Sequence, residues 1–222
     1  MAYQPLFSIP MRGVQWLHIQ QIMPTLYDRT MHCIDEALSK TDGKFLPIWL
    51  NSEGGDYWAF VAIRDYILEL KKDGVPIVTF CGNNWGAQSA ALSLYALGDL
   101  RYTTPNTNWL LHSVSCLYDP DKDVKKRPNY YTDIQVEDES EEQILANIRK
   151  MTDSLFGMLA EDLGIEKQEV YDFLDRHGRG TNEVQFGNDL AKELNVYTHL
   201  EYPTLNKILK EIENINKNVE AH

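Results

Sequence analysis

Ser89 follows the run Gly82-Asn83-Asn84-Trp85-Gly86-Ala87-Gln88 and stands directly before an apolar segment, 90–97. A serine at a helix start has two uses. Its hydroxyl can cap the helix by accepting a backbone N–H. It can instead act as a nucleophile beside N–H groups that have no intrahelical acceptor and favour a developing negative charge. His112 closes the next short apolar run, Trp109–His112. A neutral imidazole that takes the serine proton is the second part acyl-transfer chemistry needs. The other histidines have poorer contexts: His18 and His32 lie upstream, and His177, His199 and His222 fall in loops or the tail. A third feature is Asn51-Ser52-Glu53-Gly54-Gly55-Asp56. Two adjacent glycines after a buried run let the backbone take positive φ and approach a ligand closely. The N–H groups of such a turn can form half of an oxyanion hole. Singly, each motif has an ordinary structural use as a turn, a cap or a core histidine.

The elements that must position these residues are legible as alternating patterns. Val14–Ile19, 45–50, 75–81 and Trp109–His112 are short apolar runs of strand length. Between them, Tyr27–Ser39 and 58–71 carry apolar residues at helical spacing, and 90–97 is apolar nearly all round, as a buried helix would be. Strands alternating with helices predict βαβ units and a mainly parallel sheet, an α/β fold. The second half differs. The charged stretch 119–129, with Pro120 and Pro128, predicts a surface loop, and 138–163 predicts one long helix. Its apolar stripe runs through Ile144, Leu145, Ile148, Met151, Leu155, Met158 and Leu159, and Gly164 stops it. A short helix (167–174), a Gly-rich turn and 188–195 follow. An amphipathic helix over 205–215 can pack on its own domain or on another subunit. No internal repeat or long linker divides the chain, so residues 1–222 read as one domain, with 203–222 a helical tail.

The ordered set Asn-Ser-x-Gly-Gly, strand, serine at a helix start, Pro-Asn, then a strand ending in histidine resembles the Clp protease proteolytic-subunit (ClpP) family. The matching stretches are 48–55, 77–98, 101–106 and Trp109–His112, and the similarity runs over 14–196. The resemblance implies a ClpP/crotonase-like superhelix of βαβ units with a long handle helix, and a serine endopeptidase without cofactor or metal. It implies Ser89 as nucleophile, His112 as general base and Asp175 as the acid, with Asp172 the alternative in another register. The oxyanion would be held by the N–H groups of Gly55 and Ala90. The serine-to-histidine spacing is shorter here than in the familiar bacterial members. Counted back from His112 without a gap, Ala87 takes the nucleophile position, which would make an inactive ring subunit. Aligning the buried helix places Ser89 there, puts the deletion in the turn around 99–100 and resembles phage-type relatives; turns tolerate deletion and buried helices do not. The family also implies peptide or unfolded-protein substrates, a homo-oligomer of stacked heptameric rings and an AAA+ unfoldase partner. The helix over 138–163 would lie between rings, and the insert 118–131 before it is unusual for the family. Crotonase-type acyl-CoA enzymes share the fold and use paired N–H groups without a Ser-His pair, and a binding or scaffold protein could keep the fold alone. Spacing does not place the pocket side chains around Tyr57, Trp58 and Trp85.

The bulk properties exclude other classes. At 222 residues, 43% hydrophobic and 24% charged, the chain has the balance of a globular domain. A formal net charge of -12 argues against nucleic acid as a partner, since phosphate binding needs a basic surface. No apolar run reaches the roughly 18–20 residues of a membrane helix, and the start lacks the pattern of a secretory signal. Cys33, Cys81 and Cys116 lie far apart and read as free thiols, which points to the cytoplasm.

Overall fold

The alternation of apolar runs and amphipathic segments becomes a mixed α/β architecture with a curled mixed sheet. The computed structural model describes residues 6–24, 27–82, 86–116, 129–130 and 139–220. The first half comprises β1 (Leu6–Met11), β2 (Val14–Ile19), α1 (Tyr27–Ser39), β3 (Leu46–Leu50), α2 (Tyr57–Lys72) and β4 (Ile77–Cys81). Then come β5 (Ala87–Gln88), α3 (Ala90–Ala96), β6 (Leu100–Thr103), β7 (Trp109–His112), β8 (Ser115–Cys116) and β9 (Asn129–Tyr130). The remainder is α4 (Glu139–Leu163), α5 (Lys167–His177), β10 (Glu183–Phe186), α6 (Asn188–Ala191), β11 (His199–Leu200) and α7 (Leu205–Glu220).

The larger sheet has the order β1-β2-β3-β4-β6-β11. β1 and β2 form an antiparallel hairpin, and the other neighbours are parallel. Its turn, Arg12-Gly13, has φ of 50° and 83°, the doubly positive pair that matches strand twist in a tight hairpin. The parallel strands read as continuous apolar runs because both sheet faces are buried. Leu46, Ile48 and Leu50 point into the core under α1, α2 and α3, while Trp16, Val78, Phe80, Leu100 and Tyr102 point to the opposite face. There α7 lays Ile208 and Ile212 onto them, with Leu205, Leu209 and Ile215 alongside. The amphipathic tail therefore packs on its own domain.

Beyond the carboxyl ends of the parallel strands the chain enters a second, smaller layer. It holds a sheet of order β10-β7-β5, extended by single bridges between Ser52 and Ala87 and between Ile22 and Gly55. Open α/β sheets bind ligands at this edge. α4 runs along the molecule with Leu155, Phe156, Leu159 and Leu163 in the main core. The buried pair Arg64–Asp162, at 2.9 Å, ties it to α2. Residues 119–128 of the loop expected over 119–129, most of the insert 118–131, and Trp85 lie outside the described residues, while Asn129 is in β9, opposite Cys116. β1, β6 and β10 are strands that the sequence patterns did not announce. No described helix is long and apolar enough to cross a membrane.

Candidate functional site

Ser89 occupies the junction between β5 and α3. Its φ of 55° and ψ of -129° place a residue bearing a Cβ in the left-handed half of backbone space. That conformation costs on the order of 1–3 kcal/mol and recurs where a side chain must be presented at a sharp strand-to-helix turn. Backbone bonds hold the strain: the Ser89 N–H donates to the Leu110 carbonyl at 2.8 Å, and the Ser89 carbonyl accepts from Leu92 N–H at 3.0 Å. The hydroxyl makes no capping bond to α3. The ordinary structural use of a serine at a helix start is thus not the one observed.

The glycine turn is shaped to fit around it. Gly54 and Gly55 have φ of 96° and 149°, and an added Cβ on Gly55 would lie 1.9 Å from the Ile22 carbonyl oxygen. A Cβ on Gly54 would lie 2.8 Å from both the Gln88 carbonyl oxygen and Ser89 Cβ. Only glycine lets this turn sit against the serine. The bridge with Ile22 uses the Gly54 carbonyl and the Asp56 N–H, not the Gly55 N–H. Ala90, the first residue of α3, has an N–H with no intrahelical acceptor.

His112 ends β7, which is clamped from several sides. β5 pairs with it in parallel and β10 antiparallel. Trp109 Nε1 donates to Asn188 Oδ1 at 2.9 Å, and the Trp109 ring packs on Tyr95. His112 Nδ1 lies 2.6 Å from the Ser113 carbonyl oxygen. A carbonyl can only accept, so Nδ1 carries the proton and Nε2 keeps its lone pair. Burial pushes the imidazole below the ordinary histidine range, opposed by the Ser113 carbonyl and by the negative charge of Glu183.

Ser89, Ala90, His112 and Gly55 line one cavity of about 260 Å³. Its other walls are mixed: Tyr57, Trp58, Val114, Met151 and Leu155 are apolar or aromatic, and Asp56 and Ser115 are polar. Trp58 is 66% exposed at its rim, an unusual setting for so large a ring. A larger cleft of about 650 Å³ adjoins through Gly55 and Asp56, with Gln20, Asn51 and Glu53 in its walls but neither Ser89 nor His112. Four of the five expected site residues are therefore gathered. Ala87 is not among them: it is fully buried in β5, bridged to Ser52.

Asp175 is not brought to the cavity. It lies on the exposed face of α5, as does Asp172, whose carboxylate accepts from Gln168. Core residues Val170, Phe173 and Leu174 define the inner face of that helix, which turns both carboxylates outward. Two groups around His112 escaped sequence reasoning. The Ser113 carbonyl is invisible in a sequence. Glu183 stands opposite His112 in the β10–β7 register. Its signal was available, since Glu183-Val184-Gln185-Phe186 alternates polar and apolar as a half-buried strand does. Among the described residues no group of histidine, cysteine and carboxylate side chains is arranged to hold a metal. Neither the protein-family models nor the curated proteins match this chain.

Proposed function

We propose that the protein is a serine peptidase of the ClpP type, hydrolysing peptide bonds through Ser89 and His112. One observation carries the reading. A serine held at positive φ, its hydroxyl not used for capping, shares a cavity with a histidine whose Nδ1–H is engaged by a carbonyl. Nε2 of His112 takes the proton as Ser89 Oγ attacks the scissile carbonyl, and then delivers it to the leaving amine. The N–H groups of Gly55 and Ala90 stabilise the oxyanion, each donor of this kind contributing about 3–4 kcal/mol in the transition state. Water, activated by the same imidazole, then releases the acyl group. The cavity walls combine apolar side chains with the polar groups of Asp56 and Ser115, a lining that can receive both a side chain and the amides of a peptide. The superhelical ClpP/crotonase-like fold, the ring assembly and an unfoldase partner belong to the same reading and rest on the motif resemblance.

The test is peptide hydrolysis by purified wild type and Ser89→Ala. Turnover should fall by a factor on the order of 10⁴ or more, with the circular dichroism spectrum and melting temperature retained. Equal turnover by the two proteins would overturn the proposal.

A further inference from the structure

The peptide unit between Ser113 and Val114 is bonded at both ends. Its carbonyl accepts from His112 Nδ1 at 2.6 Å, and its N–H donates to Thr152 Oγ1 at 3.0 Å. The unit is trans and planar, so its C=O and N–H point in opposite directions and cannot be reoriented independently. Whatever fixes the N–H fixes the carbonyl. The preceding N–H, that of Ser113, donates to the Asn182 carbonyl at 2.9 Å and steadies the other side.

Thr152 is suited to this task. It is 1% exposed, on the face of α4 that also sends Met151 and Leu155 into the cavity wall. Helix interiors gain nothing from threonine, whose branched side chain loses rotamer freedom there. Without the hydroxyl, the part-buried Val114 N–H would lose the acceptor that fixes its direction. An engaged N–H also polarises its own peptide, making the carbonyl at the far end a better acceptor.

We propose that Thr152 is a positioning residue for His112: by accepting the Val114 N–H it sets the plane of the Ser113–Val114 peptide, whose carbonyl selects the Nδ1–H tautomer of the imidazole. The catalytic consequence rests on the peptidase reading; the tautomer consequence does not. In that tautomer Nε2 is the basic ring nitrogen, an assignment that a carboxylate commonly secures in serine hydrolases. α4 thereby acts on the site without touching the reacting atoms.

The experiment combines two readouts on wild type, Thr152→Val and Thr152→Ser. Nitrogen NMR on histidine-labelled protein, with the signal assigned by comparison with His112→Gln, reports the tautomer. The rate of acylation of Ser89 by a fluorophosphonate reports the chemistry. Wild type should show the Nδ1–H form. Thr152→Val should lose that preference and acylate at least about tenfold more slowly, whereas Thr152→Ser should stay within about threefold of wild type. A wild-type ring in the Nε2–H form would overturn the proposal without recourse to any variant. So would a folded Thr152→Val protein unchanged in both readouts, or a Thr152→Ser protein as impaired as Thr152→Val, which would make the methyl group rather than the hydroxyl the relevant part. If the tautomer responds as expected but wild type is never acylated, the positioning role stands and the peptidase reading falls.

Discussion

At His112 two effects on the imidazole oppose each other, and their balance has a consequence in pH. Burial, the larger effect, favours the neutral ring, while the Ser113 carbonyl and the Glu183 charge favour the protonated one. A general base must be neutral to accept a proton, so a lowered pKa moves the acid limb of kcat/KM to lower pH. The midpoint should lie below the ordinary histidine value of 6.5. Removing the Glu183 charge removes a raising influence, so Glu183→Gln should shift that limb further down. Asp175→Asn, on the exposed face of α5, should leave both limb and rate within about twofold. A pH–rate profile of the three proteins checks this, and an unmoved limb in Glu183→Gln together with a collapsed rate in Asp175→Asn would reverse the assignment. The contrast also shows where the sequence stopped being informative. Ser89 and His112 are recognisable because each ends or begins an element with its own pattern. The carboxylate near His112 is set by which strand pairs with β7, and long-range antiparallel register leaves no mark at either residue.

At the scale of elements, the site depends on turns that exclude side chains and on a helix that seals the sheet's far face. Gly86 belongs to the same group as Gly54 and Gly55: its φ is 64°, and a Cβ there would meet the Asn108 carbonyl oxygen at 1.4 Å. The sequence shows these glycines but not the backbones that press on them. α7 was equally ambiguous, since an apolar stripe looks the same whether it covers its own sheet or another subunit. Ile208 is fully buried against the larger sheet's outer face. Ile208→Ala should therefore cost about 2–5 kcal/mol of stability through lost burial and the cavity left behind. Chemical denaturation reads this directly, and an unchanged midpoint would mean that α7 is not docked in solution.

At the scale of the whole molecule, the two cores meet at the sheet, and a buried histidine sits within it. His18, on β2, is 4% exposed and packs against Trp49, with ring centroids 4.7 Å apart. Burial lowers its pKa from 6.5 to about 4. The unfolded chain therefore binds a proton that the folded chain excludes, so this group's contribution is fully present above pH 6.5 and is lost as pH falls towards 4. The size of the loss is about 3 kcal/mol by the lower end. Melting temperature should fall over that interval in wild type and fall less steeply in His18→Phe; parallel curves for the two would remove His18 from the account. Fold class was readable in advance, because strand-length apolar runs alternating with amphipathic helices leave few other architectures. Strand order was not: the β10-β7-β5 layer joins distant segments whose pairing depends on packing, and the layer carries both Glu183 and His112.

The proposed chemistry requires Ser89 to be a nucleophile activated by His112. Its most direct test is fluorophosphonate labelling of the folded protein, with the modified residue located by mass spectrometry. One adduct per chain is expected, on Ser89, with labelling slowed by orders of magnitude in His112→Ala and absent in Ser89→Ala. A folded wild-type protein that takes up no label, or that is labelled as fast without His112 as with it, would contradict it.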